Sequence, residues 1–594
     1  MVLITADNMK QFLKYTLATI VGVFITFIFL GLLMFFTILG LASSSGKKGI
    51  TLKNNSVIEL NINYDVPERT PQSFMNIFLS DEQDALLGLN DILTIIDNAS
   101  ADPKIKGIYL KTNLNNTGYA TSLEIRNALD KFKKTGKFIY AYAPYYDEKN
   151  YYLASVADSI FIEKAGSVLL NGLSANLMFY KGALDKLGVE MQVIKVGAYK
   201  GAVETFSRND LSPENREQIG VYLNNIYSTF INAVSTSRKI DTSVLRKSFN
   251  DFSIQTPAQA VAFGLIDRTV YSDEVLKSFR KKLGLKEKEE LPIVKAGQYA
   301  GNMNEEEEKG GDKIAVIYAV GEIMEGEGDD QTIGSVTLSK SIANAREDKH
   351  IKAIVLRVNS PGGSSLASDI IMREIKLCKG IKPVVVSMND VAASGGYYIS
   401  AMADSIIAMP NTITGSIGVF GLFPNMQSLL NDKMGLTFES VKTGQYSDFG
   451  RVDKPLSEVD RMYLQNMVNR IYDDFTGVVE TGRGLDSIAV EALAQGRVWT
   501  ANDALSRKLI DSYGGINDAI KIAAYMSKTK TYSVSSFPKQ DDPFKKLFGG
   551  KANAMMETKM SNDLGVFYNY YKTLQTAVKS QGFQMRMPFN LNIQ

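Results

Sequence analysis

Two segments of this chain, Tyr151-Tyr-Leu-Ala-Ser-Val-Ala-Asp-Ser-Ile160 and Tyr397-Tyr-Ile-Ser-Ala-Met-Ala-Asp-Ser-Ile406, are near copies set 246 positions apart. The agreement continues on both sides. Asp102-Pro-Lys-Ile-Lys-Gly-Ile-Tyr-Leu-Lys-Thr-Asn113 matches Asp348-Lys-His-Ile-Lys-Ala-Ile-Val-Leu-Arg-Val-Asn359 at the same offset. Val196-Gly-Ala-Tyr199 matches Thr443-Gly-Gln-Tyr446 at 247, Leu211-Ser-Pro-Glu214 matches Leu456-Ser-Glu458 at 245, and Phe263-Gly-Leu-Ile-Asp267 matches Arg507-Lys-Leu-Ile-Asp511 at 244. A near-constant offset held over roughly 165 residues is a repeat of whole domains, since solenoid units recur about every 20–50 residues. Whatever one copy folds into, the other must be able to fold into as well.

Within the second copy, short β-branched runs alternate with helical patterns. Ile314–Val320, Ala353–Val358 and Pro383–Ser387 have the composition of buried strands. Between them, Thr337–Arg346 and Ser365–Lys379 space their apolar residues as helices do. Strands alternating with helices across short connections imply right-handed crossovers and a parallel sheet, so each copy is expected to be an α/β domain. The first copy spans 56–303 and the second 313–536, with the acidic stretch 304–312 as a solvated linker and 537–594 as a C-terminal extension. Asn562–Lys579 has the spacing of one amphipathic helix. The partly apolar tail Gln581–Asn590 lies beyond both repeats, and threading into an active-site groove, a disordered end and contact with lipid are all open to it.

At 594 residues the chain holds several sizeable cores, and 45% apolar with 22% charged residues is ordinary for folded material. A net charge of +2 gives no bias toward nucleic acid. The N-terminus departs from this average. No charged residue falls between Tyr15 and Ala42, and Leu17–Phe36 is strongly apolar. A bilayer core needs roughly 20 such residues, whereas the apolar part of a cleaved signal peptide has about 7–15. A single retained transmembrane anchor over 15–42 is expected, with residues 1–14 cytoplasmic and the body outside. Lys10 and Lys14 on one side face Lys47, Lys48 and Lys53 on the other, so charge alone supports that orientation weakly.

Elimination narrows the chemistry. The only histidine, His350, sits among Asp348, Lys349 and Lys352 just before a strand, where a solvated position is expected. A Ser-His-Asp triad would have to use it. The single cysteine, Cys378, continues the helix-spaced set Leu366, Ile370, Ile371 and Ile375 and reads as a packed thiol. It allows no intramolecular disulfide and no Cys-rich metal site, and neither a zinc-binding nor a phosphate-cradling motif is present. No cofactor is expected.

Serine with a base other than histidine remains. In Val391-Ala-Ala-Ser-Gly-Gly-Tyr397, Ser394 follows a strand and precedes the helix-like stretch Tyr397–Ala403, so its hydroxyl stands at a strand-to-helix turn beside unpaired N–H groups. A second glycine pair, Gly362 and Gly363 in Asn359-Ser-Pro-Gly-Gly-Ser364, follows the preceding strand and offers backbone donors for an oxyanion. The first copy has lost both features: Glu148 stands at the position of Ser394, and Asn115-Asn-Thr117 at that of Pro361-Gly-Gly363. The converse holds further on, where Lys200 in Val196-Gly-Ala-Tyr-Lys-Gly-Ala-Val-Glu204 corresponds to Ser447. A lysine acts as a base only when burial lowers its pKa from about 10.4. By its chemistry alone Lys200 is one candidate among the 66 Lys and Arg residues.

The set Val391–Tyr397, Val358-Asn-Ser-Pro-Gly-Gly363, Thr414-Gly-Ser-Ile-Gly418 and Tyr199-Lys-Gly-Ala-Val-Glu204 resembles the signal peptide peptidase A family, membrane-anchored bacterial serine proteases, in its double-length form. The resemblance runs from about Val57 to about Ser536. It implies two tandem ClpP/crotonase-like β/α domains, with Ser394 as nucleophile, Lys200 as general base and acid, and Ser416 orienting the lysine. Backbone N–H groups at Gly362, Gly363 and Gly395 would then form the oxyanion hole. Substrates would be cleaved signal peptides and other unstructured apolar peptides. The resemblance further implies a homotetramer over the bacterial inner membrane, its body periplasmic or extracytoplasmic, held by lipid contact of the N-terminal helix. Thr205 stands where the family pattern would have proline. A crotonase-type acyl-CoA enzyme and a non-catalytic membrane scaffold are the competing readings.

Overall fold

The computed structural model describes residues 6–44, 52–72, 86–113, 115–302, 311–540 and 583–587. Most of the acidic linker and the helical expectation at Asn562–Lys579 lie outside them.

The N-terminal apolar run is one helix, Ala6–Ser44, whose segment Lys10–Leu33 is long and apolar enough to cross a membrane and is not buried against the body. At 1.5 Å per residue its 24 residues span about 36 Å, against a hydrocarbon core of about 30 Å. Thr16, Thr19 and Thr26 each give their hydroxyl to the carbonyl four residues earlier, which conceals the polar atoms of an otherwise apolar surface.

The two copies repeat one topology. In the first, six parallel strands run in the order Arg268–Thr269, Ser159–Val168, Phe138–Tyr146, Ile105–Thr112, Ser56–Ile62, Ile293–Lys295. In the second, Ser512–Tyr513, Ser405–Ala408, Val384–Ala393, Ile351–Ser360, Lys313–Val320 and Ser533–Phe537 follow in the same order. Strands rich in Val, Ile and Ala are covered on both faces, as a parallel sheet with crossover helices requires. The helices Ser335–Glu347 and Ser365–Cys378 fall where the apolar spacing put them. Cys378 packs in that core, fully buried, and burial pushes its thiol up to about 11.

Three differences from the sequence reading concern the site. The strand expected to end at Ser387 continues to Ala393 and forks: its first part pairs with Ser405–Ala408, its last with Ile413–Gly415. The helical stretch expected at Tyr397–Ala403 is a single turn, Gly395–Tyr398, after which Ser400 N–H and Ala403 N–H each reach back only three residues. Finally, the copies share a sheet. Glu190–Val196 of the first copy pairs antiparallel with Val419–Asn425 of the second, and Glu322–Met324, Thr332–Gly334, Gly362–Ser364 and Phe583–Arg586 complete it.

A buried ion cluster also joins the copies. Arg357, with no exposed side-chain surface, places Nε 2.9 Å from Glu68 Oε2 and Nη2 2.9 Å from Glu124 Oε2, and donates from Nη1 to Ser387 Oγ at 2.8 Å. Asp390 crosses the same boundary and accepts the N–H groups of Ala120 at 2.8 Å and Thr121 at 3.1 Å, the first turn of the helix Tyr119–Lys134.

Candidate active site

Ser394 ends the strand Val384–Ala393 and begins the Gly395–Tyr398 turn with φ 56° and ψ −115°, a conformation that costs a non-glycine residue roughly 1–3 kcal/mol. The surroundings hold it there. Ser394 N–H donates to the Gly415 carbonyl at 2.8 Å, and its own carbonyl accepts Tyr398 N–H at 2.8 Å. Ser416 also has positive φ, 51°, and donates its N–H to the Arg497 carbonyl at 2.7 Å.

Lys200 arrives from the other copy. Its loop is fastened at both ends: Tyr199 N–H donates to the Gln495 carbonyl at 2.9 Å, and Gln218 Nε2 to the Tyr199 carbonyl at 3.0 Å. On the far side, buried Glu204 accepts Ser212 N–H at 3.0 Å and Asn215 Nδ2 at 2.7 Å, binding the loop to the start of the helix Pro213–Arg238. Thr205 sits in this turn without disturbing it, its carbonyl accepting Tyr180 N–H at 2.6 Å.

The Lys200 loop of one copy and the Ser394 turn of the other come together here. Lys200 Nζ lies 2.8 Å from Ser394 Oγ, 3.0 Å from Ser416 Oγ and 3.0 Å from the Ser416 carbonyl oxygen. All three residues are fully buried. Burial holds the lysine well below its ordinary pKa, with no carboxylate among the described residues opposing it. His350, by contrast, is exposed at the start of its strand and is no part of this cluster.

Gly362 N–H is already given to Ser360 Oγ at 3.1 Å, so Gly362 supplies room rather than a donor: its φ is 97°, and a Cβ there would overlap the Met585 carbonyl oxygen. Gly363 and Gly395 are close-packed in the same way: a Cβ on Gly395 would stand 3.2 Å from Gly362 Cα, and one on Gly363 would overlap the Ile323 carbonyl oxygen. In the first copy the corresponding ground is occupied. Glu148, which burial pushes up to about 7, accepts the N–H groups of Asn171 and Gly172, each at 2.7 Å. Asn115 N–H goes to Asn150 Oδ1 at 3.2 Å, and Thr117 N–H to Asn115 Oδ1 at 2.9 Å. Ser447, the counterpart of Lys200, is exposed in a loop.

Sequence reasoning missed Gly496. Its φ is 76°, and a Cβ there would stand 2.7 Å from Lys200 Cβ; Gly418 likewise would bring one within 3.3 Å of Lys200 Cδ. These glycines admit the lysine stem, and a lone glycine before Arg497-Val-Trp499 carries no chemical signal by which it could be found.

The profile of peptidase family S49 matches residues 131–286 and 376–530, one stretch in each copy. "Protease 4" of Haemophilus influenzae is 34% identical over 521 residues, which is 84% of this chain and 83% of that protein. "Serine protease SPPA, chloroplastic" of Arabidopsis thaliana is 36% identical over 434 residues, 72% of this chain and 64% of its own length. Among solved structures, a mutant ClpP1 from Listeria monocytogenes matches with a TM-score of 0.24 at 16% identity, over 34% of this chain and 94% of that one. With the family's profile met in both repeats and a protease of that kind aligned along most of its length, this chain belongs to peptidase family S49 and is a serine protease.

Proposed function

We propose that the chain is a membrane-anchored endopeptidase working through a Ser394/Lys200 dyad on unstructured, apolar peptides, cleaved signal peptides among them. The observation that carries this reading is the 2.8 Å separation of Lys200 Nζ and Ser394 Oγ inside a fully buried cluster. A neutral amine has two N–H groups and one lone pair. The Ser416 carbonyl and Ser416 Oγ, both at 3.0 Å, match the two N–H groups, which leaves the lone pair for the Ser394 hydroxyl. Lys200 then takes the Ser394 proton as Oγ attacks the scissile carbonyl, Gly363 and Gly395 N–H groups hold the oxyanion, and the ammonium protonates the leaving amine. Water activated by the same amine hydrolyses the acyl-enzyme. In this reading 56–303 supplies the base and 313–536 the nucleophile.

The spacing of the strands Gly362–Ser364 and Val419–Asn425, which leaves room for one extended strand between them, supports the substrate class. The Lys10–Leu33 helix supports anchorage in the cell membrane, and the body is assigned to the extracytoplasmic side on the weaker ground of Lys10 and Lys14 preceding the apolar run. Met434, Leu436, Phe438, Val441, Tyr446 and Phe449 expose apolar surface along one loop region, as a subunit interface of a homotetramer would in the separated chain. Kinetics on an unstructured apolar reporter peptide tests the dyad. Ser394→Ala and Lys200→Ala should each lower kcat by about 10⁴-fold or more, with Lys200→Arg no better than Lys200→Ala because a guanidinium does not deprotonate. Near-normal turnover in Lys200→Arg would remove the lysine from the base role.

A further inference from the structure

The strand Gly362–Ser364, whose first residue approaches Gly395, and the strand Val419–Asn425, which begins just after Ser416, do not pair with each other. The slot between them is one strand wide, and Phe583–Arg586 fills it, antiparallel to both neighbours. The register is defined: Met585 lies opposite Gly363, Arg586 opposite Gly362, and Gln584 opposite Ser364 on one side and Phe420 on the other. Met587 N–H donates to the Pro361 carbonyl at 2.7 Å. Bonded and unbonded pairs alternate along an antiparallel ladder, so Gly363 and Met585 form the next bonded pair, and the Met585 carbonyl faces the Gly363 N–H. That same oxygen is 3.1 Å from where a Cβ of Gly395 would stand. Thus the carbonyl of Met585 is the one lying among the donors around the nucleophile. The side chains are seated as well. Met585 is 1% exposed within the second copy's core, Met587 is 6% exposed against Tyr119, Ile219 and Tyr222, and Arg586 Nη1 is 3.2 Å from Glu322 Oε1.

Resting on the dyad reading above, we propose that this slot is the peptide-binding groove and that residues 583–587 occupy it as a substrate does, with Met585–Arg586 the bond presented to Ser394. An added strand is held by backbone hydrogen bonds, and alternate side chains are selected by pockets. The groove therefore takes an unbranched apolar residue before the scissile bond and favours a basic one after it, Glu322 reading the latter. Cleavage joins Ser394 Oγ to the Met585 carbonyl carbon and breaks the bond to Arg586 nitrogen, which receives the serine proton through Lys200. Water then releases a carboxylate ending at Met585 and restores the serine. Until that happens, the tail excludes other peptides.

The test uses the chain truncated after Ser580 and a synthetic peptide with the sequence of residues 581–590, labelled at its N-terminus. In a Ser394→Ala background the peptide should bind, and in the active background mass spectrometry should find it cut between the methionine and arginine corresponding to Met585 and Arg586. Glu322→Lys should lower kcat/KM about fivefold for this peptide relative to one with glutamate after the scissile bond, the size of one partly exposed ion pair. In the full-length chain, Met585→Asp should speed reporter hydrolysis as truncation does, which keeps the test valid where truncation impairs folding. Absence of peptide binding, cleavage at another bond, or unchanged reporter kinetics in both tail variants would overturn the proposal. Binding together with equal cleavage by the Ser394→Ala chain would instead overturn the dyad.

Discussion

At the scale of single residues, the site is built from groups placed where they are least comfortable. Lys200 is a cation-former with no exposed surface and no acidic partner among the described residues, and Ser394 and Ser416 both hold positive φ. Such features cost stability and persist where function retains them. Lys200→Met should abolish turnover and yet raise the thermal midpoint, since it replaces a buried amine by an apolar chain of similar length. The sign of the pH dependence is set by the lowered lysine. An unfolded lysine keeps its proton up to about pH 10.4, while the folded one has released it, so the wild-type chain gains stability as pH rises toward that value. The gap between wild type and Lys200→Met, measured by thermal melts from pH 7 to 10, should narrow on the alkaline side.

At the scale of elements, strand ends and tight loops do the positioning. Gly496 is the sharpest case, because a methyl there would press on Lys200 from a left-handed backbone. Gly496→Ala should destabilise the fold by about 1–3 kcal/mol in denaturant melts and lower kcat by displacing the amine. How much of this is legible in the sequence follows from what each residue looks like without its partners. Ser394 and Lys200 stand out because the duplication supplies a control: each has a counterpart, Glu148 or Ser447, that lacks its chemistry. The strand to Ala393 reads short because Met388-Asn-Asp390 breaks the apolar run. Those polar residues face the other copy, where Asn389 binds Glu68 and Asp390 caps a helix, and no local pattern announces a partner some 270–320 positions away.

At the scale of the molecule, the proposed dyad turns a duplication of sequence into a division of labour. The strand order is predictable as a parallel α/β sheet repeated twice; the shared sheet through Glu190–Val196 is not, since one run of seven residues pairs equally well in either copy by its own composition. The cluster of Arg357 with Glu68 and Glu124 is hidden for a similar reason, as isolated charges read as solvated surface. Arg357→Met strands two buried carboxylates and should cost about 3–5 kcal/mol, read as a lowered urea midpoint, together with lost activity as the copies separate.

The central claim is that Lys200 of one copy activates Ser394 of the other. The rate at which a fluorophosphonate probe labels Ser394, followed across pH in wild type and Lys200→Met, tests it most directly. In the wild type the rate should rise through one ionisation well below about 10.4, and in Lys200→Met it should fall by about 10³-fold or more and lose that ionisation. Equal labelling of the two proteins, with the same pH profile, would contradict the account.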